Sequence, residues 1–177
     1  MKNRILKLII LALFMLFGSL VAGTVIAQEA TPEVSDPVTV TFTKWVTCYS
    51  DPNTCTASDG TIVNTPMEGV VTEGAAGTGS FSGELLHLIQ TTPELWEGVT
   101  VYQIYGATHE FSAHMLVMEN PATGEATVVG IIMDGWLKGQ TVQGSYKTVS
   151  SCPDNPNQPP DPLSPCYEVT LHIHTGD

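Results

Sequence analysis

Positive charge is scarce in this chain. Of 177 residues only six are Lys or Arg, and three of those, Lys2, Arg4 and Lys7, fall within the first seven positions. Beyond them stand only Lys44, Lys138 and Lys147, with no further Arg, against 18 Asp and Glu. A surface so poor in cations repels phosphate backbones and anionic lipid surfaces, so nucleic acid is excluded as a partner. Solubility outside the cell accounts for acidity of this kind without invoking a ligand. Helical periodicity is missing as well. No stretch of useful length after residue 27 repeats its apolar residues every 3.6 positions, which excludes alternating βαβ architecture. Catalytic signatures are equally thin. Gly79-Ser-Phe-Ser-Gly83 puts its serines off the G-x-S-x-G spacing. The glycine-rich run from Gly74 to Gly79 leads into a strand, whereas a phosphate loop leads into a helix. No cofactor is implied.

What is present begins with an address. Lys2, Arg4 and Lys7 precede an apolar run from Leu8 to Ala22, and Val25-Ile26-Ala27 closes the segment with small or aliphatic residues. This is the layout of a secretory signal peptide, residues 1–27, cleaved before Gln28. An uncleaved anchor is the alternative, because Leu8 to Ala27 is uncharged over 20 residues, about a bilayer's span. Either way the domain is expected outside the cytoplasm, secreted or at the cell surface. Cleavage would leave 150 residues with no transmembrane segment and three lysines against 18 carboxylates, a formal charge of −15. A chain of that length buries roughly 68–70% of its surface in one core. Oligomeric state is left open by the sequence.

Residues 28–37 are acidic and Pro-containing, a flexible lead-in, and 38–177 read as a single β domain. Val38, Val40 and Phe42 alternate with Thr39, Thr41 and Thr43, the period of two of a half-buried strand. Further strands are expected near Phe81–Gln90, Val99–His109, Phe111–Glu119, Ala126–Asp134, Thr141–Val149 and Tyr167–His174, with a weaker one from Met67 to Thr72. Asn120 to Glu125 reads as a hairpin loop and Lys138-Gly-Gln140 as a tight reversal. One short helical turn is expected at 93–97, where Thr92 can cap, Pro93 suits the first position and Gly98 ends it. About eight strands with short connections predict an all-β, antiparallel closed barrel, with a β-sandwich as the alternative.

Four cysteines in an exported chain imply disulfides. Local pairing, Cys48 with Cys55 and Cys152 with Cys166, staples a turn and a proline-rich loop. Crossed pairing of Cys48 with Cys166 stays open, because antiparallel first and last strands would bring them together.

Gly77-Thr-Gly-Ser-Phe-Ser-Gly83 entering a strand, Val129 through Trp136 to Tyr146, and Cys152 to Cys166 before a terminal strand form a pattern. Over residues 38–174 it resembles a group of secreted bacterial β-barrel proteins of unassigned function, similar in layout to the allene oxide cyclase and dirigent barrels of calycin type. The resemblance implies an eight-stranded barrel with a central cavity for a small apolar molecule, and some relatives of that shape catalyse cyclisations. Their catalytic residues match no positions here. The lack of Arg after Arg4 also departs from barrels that steer an anionic substrate with one.

Among single residues, Lys44 falls on the Val38, Val40, Phe42 face, where alternation aims an ammonium into the core, a costly placement unless it is paired. In a barrel lumen such a lysine could serve acid–base or imine chemistry. A bulge near Trp45 would turn it to solvent instead, and that is the preferred reading. His87 shares a face with Phe81, Leu85 and Ile89, and His114 with Leu116 and Met118, so both are expected to point inward. Trp45, Tyr102, Tyr105, Trp136 and Tyr146 are candidates to line a cavity, or ordinary core aromatics. His172 and His174 stand two apart on one strand face, the spacing of a metal chelate completed by Glu168, His109, His114 or His87. A polar outer face of the last strand is the preferred reading, with the metal chelate as its alternative. Asp154, Asn155, Asn157 and Asp161 offer oxygens without calcium-loop spacing.

Three functions compete. The first is a binder of a small apolar ligand in the barrel. The second is a cyclase or isomerase using Lys44, His87 or His114. The third is an extracellular interaction module with stapled loops and a filled interior.

Overall fold

The computed structural model describes residues 36–47, 55, 57, 60–152, 155 and 166–175. The leader expected at 1–27 and most of the lead-in lie outside them. Cys48, Asp154, Asn157 and Asp161 lie outside them too. Eight strands follow in chain order: β1 (Val38–Val46), β2 (Ile62–Gly74), β3 (Gly79–Thr92), β4 (Leu95–Gly106), β5 (Glu110–Asn120), β6 (Glu125–Gly135), β7 (Thr141–Val149) and β8 (Cys166–His174). Each pairs antiparallel with the next, and β8 returns to β1 with Val40 opposite Leu171 and Phe42 opposite Val169. The result is the closed antiparallel barrel that the alternating pattern predicts.

Closure decides where side chains go. Val40, Phe42, Tyr102, Ile104, Met115, Val128, Ile132, Val142, Leu171 and Ile173 are nearly or fully buried on the inner face. Phe42, Phe81 and Tyr102 pack as an aromatic trio, with centroids 4.6 to 5.8 Å apart. An eight-stranded barrel is about wide enough for its own side chains to fill. These side chains form one continuous cluster along it. Room for the rings comes partly from Gly83, whose added Cβ would sit 2.8 Å from the Phe81 ring and 3.2 Å from Met67.

Three local expectations are corrected. Residues 93–97 form no helix: Pro93 and Glu94 make the tight β3–β4 turn, and Leu95 already begins β4. The Thr92 hydroxyl does accept the Glu94 N–H, at 3.3 Å, but in a hairpin rather than at a helix start. One turn of helix is too short to recover its nucleation cost when strand pairing is available on both sides. β2 is longer than the Met67–Thr72 core of its pattern, and β4 starts four residues before Val99. Crossed disulfide pairing is also overturned. Cys152 bonds Cys166, with Cα atoms 5.6 Å apart. The expected Cys48–Cys55 bridge involves Cys48, outside the described residues, while Cys55 is buried and disulfide-bonded.

Candidate functional site

The barrel has two ends. The first strand begins at the end that carries the β2–β3, β4–β5 and β6–β7 turns. It finishes at the end that carries the β3–β4 and β5–β6 turns, with the Cys152–Cys166 bridge beside it. Lys44 lies near the second end. Strict alternation holds through it, since the register shift between β1 and β2 falls at Thr41 and Phe42, where β2 carries the extra residue Thr72, and not near Trp45. The solvent-facing reading is therefore corrected: Lys44 is 4% exposed and points inward.

What surrounds the ammonium is a cage drawn from four other strands. Nζ donates to the Tyr102 hydroxyl of β4 at 2.7 Å. It also lies 4.9 Å from the Tyr102 ring centroid, 4.1 Å from that of Tyr146 on β7 and 5.3 Å from that of Tyr167 on β8. Ring faces attract a cation most strongly where water is excluded. Tyr146 in turn donates to Glu119 Oε2 of β5 at 2.6 Å, and it packs edge-on to Tyr167 at 5.0 Å. Burial lowers the Lys44 pKa from 10.5 to about 7, while the Glu119 carboxylate pulls it back upward. Burial, with the Glu119 charge nearby, pushes the Tyr102 and Tyr146 phenols well above their ordinary value, so both stay neutral. An amine that is half deprotonated near neutrality, with a phenol in hydrogen-bond contact, has the composition of an acid–base pair. What it lacks is access.

Access is cut off by Tyr146 and Glu119. Both line a depression of about 600 Å³ at this end, shared with Glu94 and Leu95 of the β3–β4 turn region and Asn120 and Thr123 of the β5–β6 turn, and the depression runs over the rim onto the outer wall at Met118, Thr127, Ser145 and Thr170. Lys44 is not among its lining residues. Reductive methylation of the native protein with formaldehyde should therefore label Lys138 and Lys147, both exposed, and leave Lys44 unmodified in peptide mass spectra. Equal labelling of Lys44 would mean that the mouth opens.

The remaining candidates scatter. His87 is exposed: β3 and β4 lose register between Leu85 and His87, so Leu86 bulges and Leu88 turns inward in place of the His87 and Ile89 face. His114 is exposed as well, because the inner face of β5 is Phe111, Ala113, Met115 and Val117. Trp45, alternating with Lys44, lies outside the barrel wall under the Cys152–Cys166 bridge. Tyr105 is 45% exposed and borders a smaller outer depression of about 260 Å³. Trp136 caps the opposite end, stacked on His109 at 4.0 Å. Only Tyr102 and Tyr146 of the five aromatic candidates meet Lys44. Tyr167 and Glu119 complete the group and carried no signal in the sequence, since their approach depends on barrel closure.

On β8, Val169, Leu171 and Ile173 face inward and His172 faces outward. The metal candidates do not converge. Glu168 pairs with Lys147 at 2.9 Å, and His172 Nδ1 contacts the Thr39 hydroxyl at 3.2 Å. Among the described residues no group of three or more His, Cys, Asp or Glu is placed to hold a metal. No helix among them is long and apolar enough to cross a membrane.

The chain matches no known family model, no curated protein and no solved structure.

Proposed function

We propose that this protein is an exported, non-catalytic binding module that takes a small, uncharged, largely apolar molecule at the barrel mouth floored by Tyr146 and Glu119. The observation that carries this reading is the depression of about 600 Å³ at that end. Its size falls within the roughly 300–1,000 Å³ of small-molecule sites. Leu95, Met118, Ala126 and Tyr146 offer apolar contact there, and Glu119, Asn120 and Thr123 offer hydrogen bonds. Four carboxylates, Glu94, Glu119, Glu125 and Glu168, face one ammonium, Lys147, around it. That balance disfavours an anionic ligand. Binding along the barrel axis, the form in which a central-cavity ligand was expected, is the weaker version, because the inner side chains occupy that space.

The similarity to allene oxide cyclase and dirigent barrels belongs to this proposal, and closed eight-stranded architecture is its support. A cyclase or isomerase would need an acid–base group touching the substrate. His87 and His114 lie outside the barrel and Lys44 lies behind the floor, so catalysis is the less favoured reading. Export is likewise proposed, and the Cys152–Cys166 disulfide is compatible with an oxidising compartment.

The test uses the neutral dye Nile red as probe. Wild type should give a saturable rise in emission. Thr123→Trp, which fills the mouth from an exposed turn position, should weaken binding at least tenfold. Unchanged binding in that variant, or none in wild type, overturns the proposal.

A further inference from the structure

The outside of the barrel is two-sided. Along β7, β8 and β1 the outward positions are polar apart from the Trp45 and Val149 cluster under the disulfide: Thr141, Gln143, Ser145, Thr170, His172 and Thr41 are examples. The exposed large hydrophobic side chains among the described residues all lie on β3–β6. Their centre is a pair of adjacent rows. Leu116 is 55% exposed and stands opposite Val129, and Ile131 stands opposite His114, one pleat further along. Met118 and Met133 extend the rows at either end, and half-buried Val99 and Val101 flank them on β4. Contiguous exposed apolar surface on one side of a soluble domain marks an interaction site.

Charge and size select the occupant. The carboxylates of Glu84, Glu97, Glu110 and Asp134 edge this face, and the Lys138 ammonium at its border is already bound to Asp134 at 3.2 Å. A second copy would bring two acidic rims together, and an anionic bilayer would meet the same repulsion. Three strands at about 4.8 Å spacing and five residues at about 3.3 Å rise give a footprint of roughly 10 Å by 13 Å between Cα atoms. That suits about ten residues of one helix, at about 1.5 Å per residue, better than a large globular interface. Met118 and Met133, unbranched and polarizable, adapt to more than one apolar contour.

We infer that the outer face of β4–β6 docks a short, basic, amphipathic segment of a partner protein, its apolar residues on Leu116, Val129 and Ile131 and its Lys or Arg on the acidic rim. This surface borders the barrel mouth at Met118, which belongs to both, and its argument does not depend on the small-molecule reading.

The probe is a 14-residue designed Leu/Lys amphipathic peptide, with a Leu/Glu peptide of the same pattern as its opposite. Anisotropy titration should show salt-sensitive binding of the Leu/Lys peptide to the full chain and none of the Leu/Glu peptide. Leu116→Ser/Ile131→Ser should weaken that binding at least tenfold while the melting temperature stays near wild type. If that pair fails to fold, Glu97→Gln/Glu110→Gln, on the rim, should weaken it at least threefold. Equal binding by wild type and these variants would show attraction to the acidic surface at large and overturn the proposal. So would a wild-type dimer in sedimentation that Leu116→Ser dissociates, or flotation with phosphatidylcholine vesicles that Leu116→Ser abolishes. Nile red binding that survives in Leu116→Ser/Ile131→Ser and is lost in Thr123→Trp separates the two surfaces.

Discussion

Lys44→Met should flatten the pH dependence of folding stability between about pH 7 and 9, a window over which wild type should gain roughly 2 kcal/mol. The gain follows from the two states of one amine. In the unfolded chain Lys44 keeps its proton up to its ordinary value of 10.5, whereas in the barrel burial brings the pKa down to about 7. Above about 7 the unfolded state therefore binds more protons than the folded state, and stability rises with pH. Below about 7 both states are protonated, the slope vanishes, and the folded state carries the full cost of a buried ammonium. The Tyr102 and Tyr146 phenols, pushed upward by burial, stay neutral throughout this window. Near pH 10 tyrosines of the unfolded chain ionise, and stability turns down again, which sets the upper limit of the experiment. Urea unfolding at three pH values checks this. A wild-type profile without slope would mean that Lys44 keeps its proton in the barrel, and a slope retained in the Met variant would assign it to other groups. Methionine fills much of the same space without a charge, so the gap between variant and wild type should be widest at the acid end.

The second large effect comes from Cys152→Ala/Cys166→Ala, which should cost about 3 kcal/mol, the chain-entropy value for a closed loop near 15 residues. The bonded residues are 14 apart in sequence, and the segment between them is rich in proline. The bridge also covers Trp45, which is 5% exposed and packs with Cys152, Cys166, Val70 and Val149 on the outside of the wall. Opening it should wet that indole as well as loosen the loop. The midpoint of thermal unfolding should fall by about 10 °C for a domain of this size. Reducing the native protein should shift tryptophan emission to the red before global unfolding. A loss below about 1 kcal/mol would mean that the loop is held by its own packing.

The two faces of β1 show why the fold was legible in the sequence and the site only partly so. Val38, Val40 and Phe42 against three threonines leave a strand one choice of inner face, and Thr141–Val149 is bounded by turn residues on which sequence and structure agree. β5 offered no such contrast. Both Phe111, Ala113, Met115, Val117 and His114, Leu116, Met118 read as apolar, and the second set lies outside because barrel curvature gives the inner face to the first. His87 failed for a different reason: one bulged residue at Leu86 reverses every side chain after it. Thr92-Pro93-Glu94 carries the same hydroxyl-to-amide bond in a hairpin as at a helix start, so its local chemistry does not separate the two. Alternation points Lys44 inward, but the cost of a buried ammonium favours a bulge to solvent until its partners are known. Its partners Tyr102, Tyr146, Tyr167 and Glu119 come from β4, β7, β8 and β5, and no spacing along the chain announces that they meet.

Barrel closure also limits how anything can attach to this protein. Each of the eight strands has a neighbour on both sides over most of its length, so among the described residues no full-length row of backbone N–H and C=O groups is left to template an added strand. Barrel closure therefore disfavours recruitment by strand addition, a route that reads little of the partner's sequence, and with it the edge-to-edge stacking that starts many β aggregates. Whatever docks on β4–β6 must be recognised through outward side chains alone. Those positions bear little of the core, so specificity on that face can be rewritten one residue at a time while the barrel beneath stays folded.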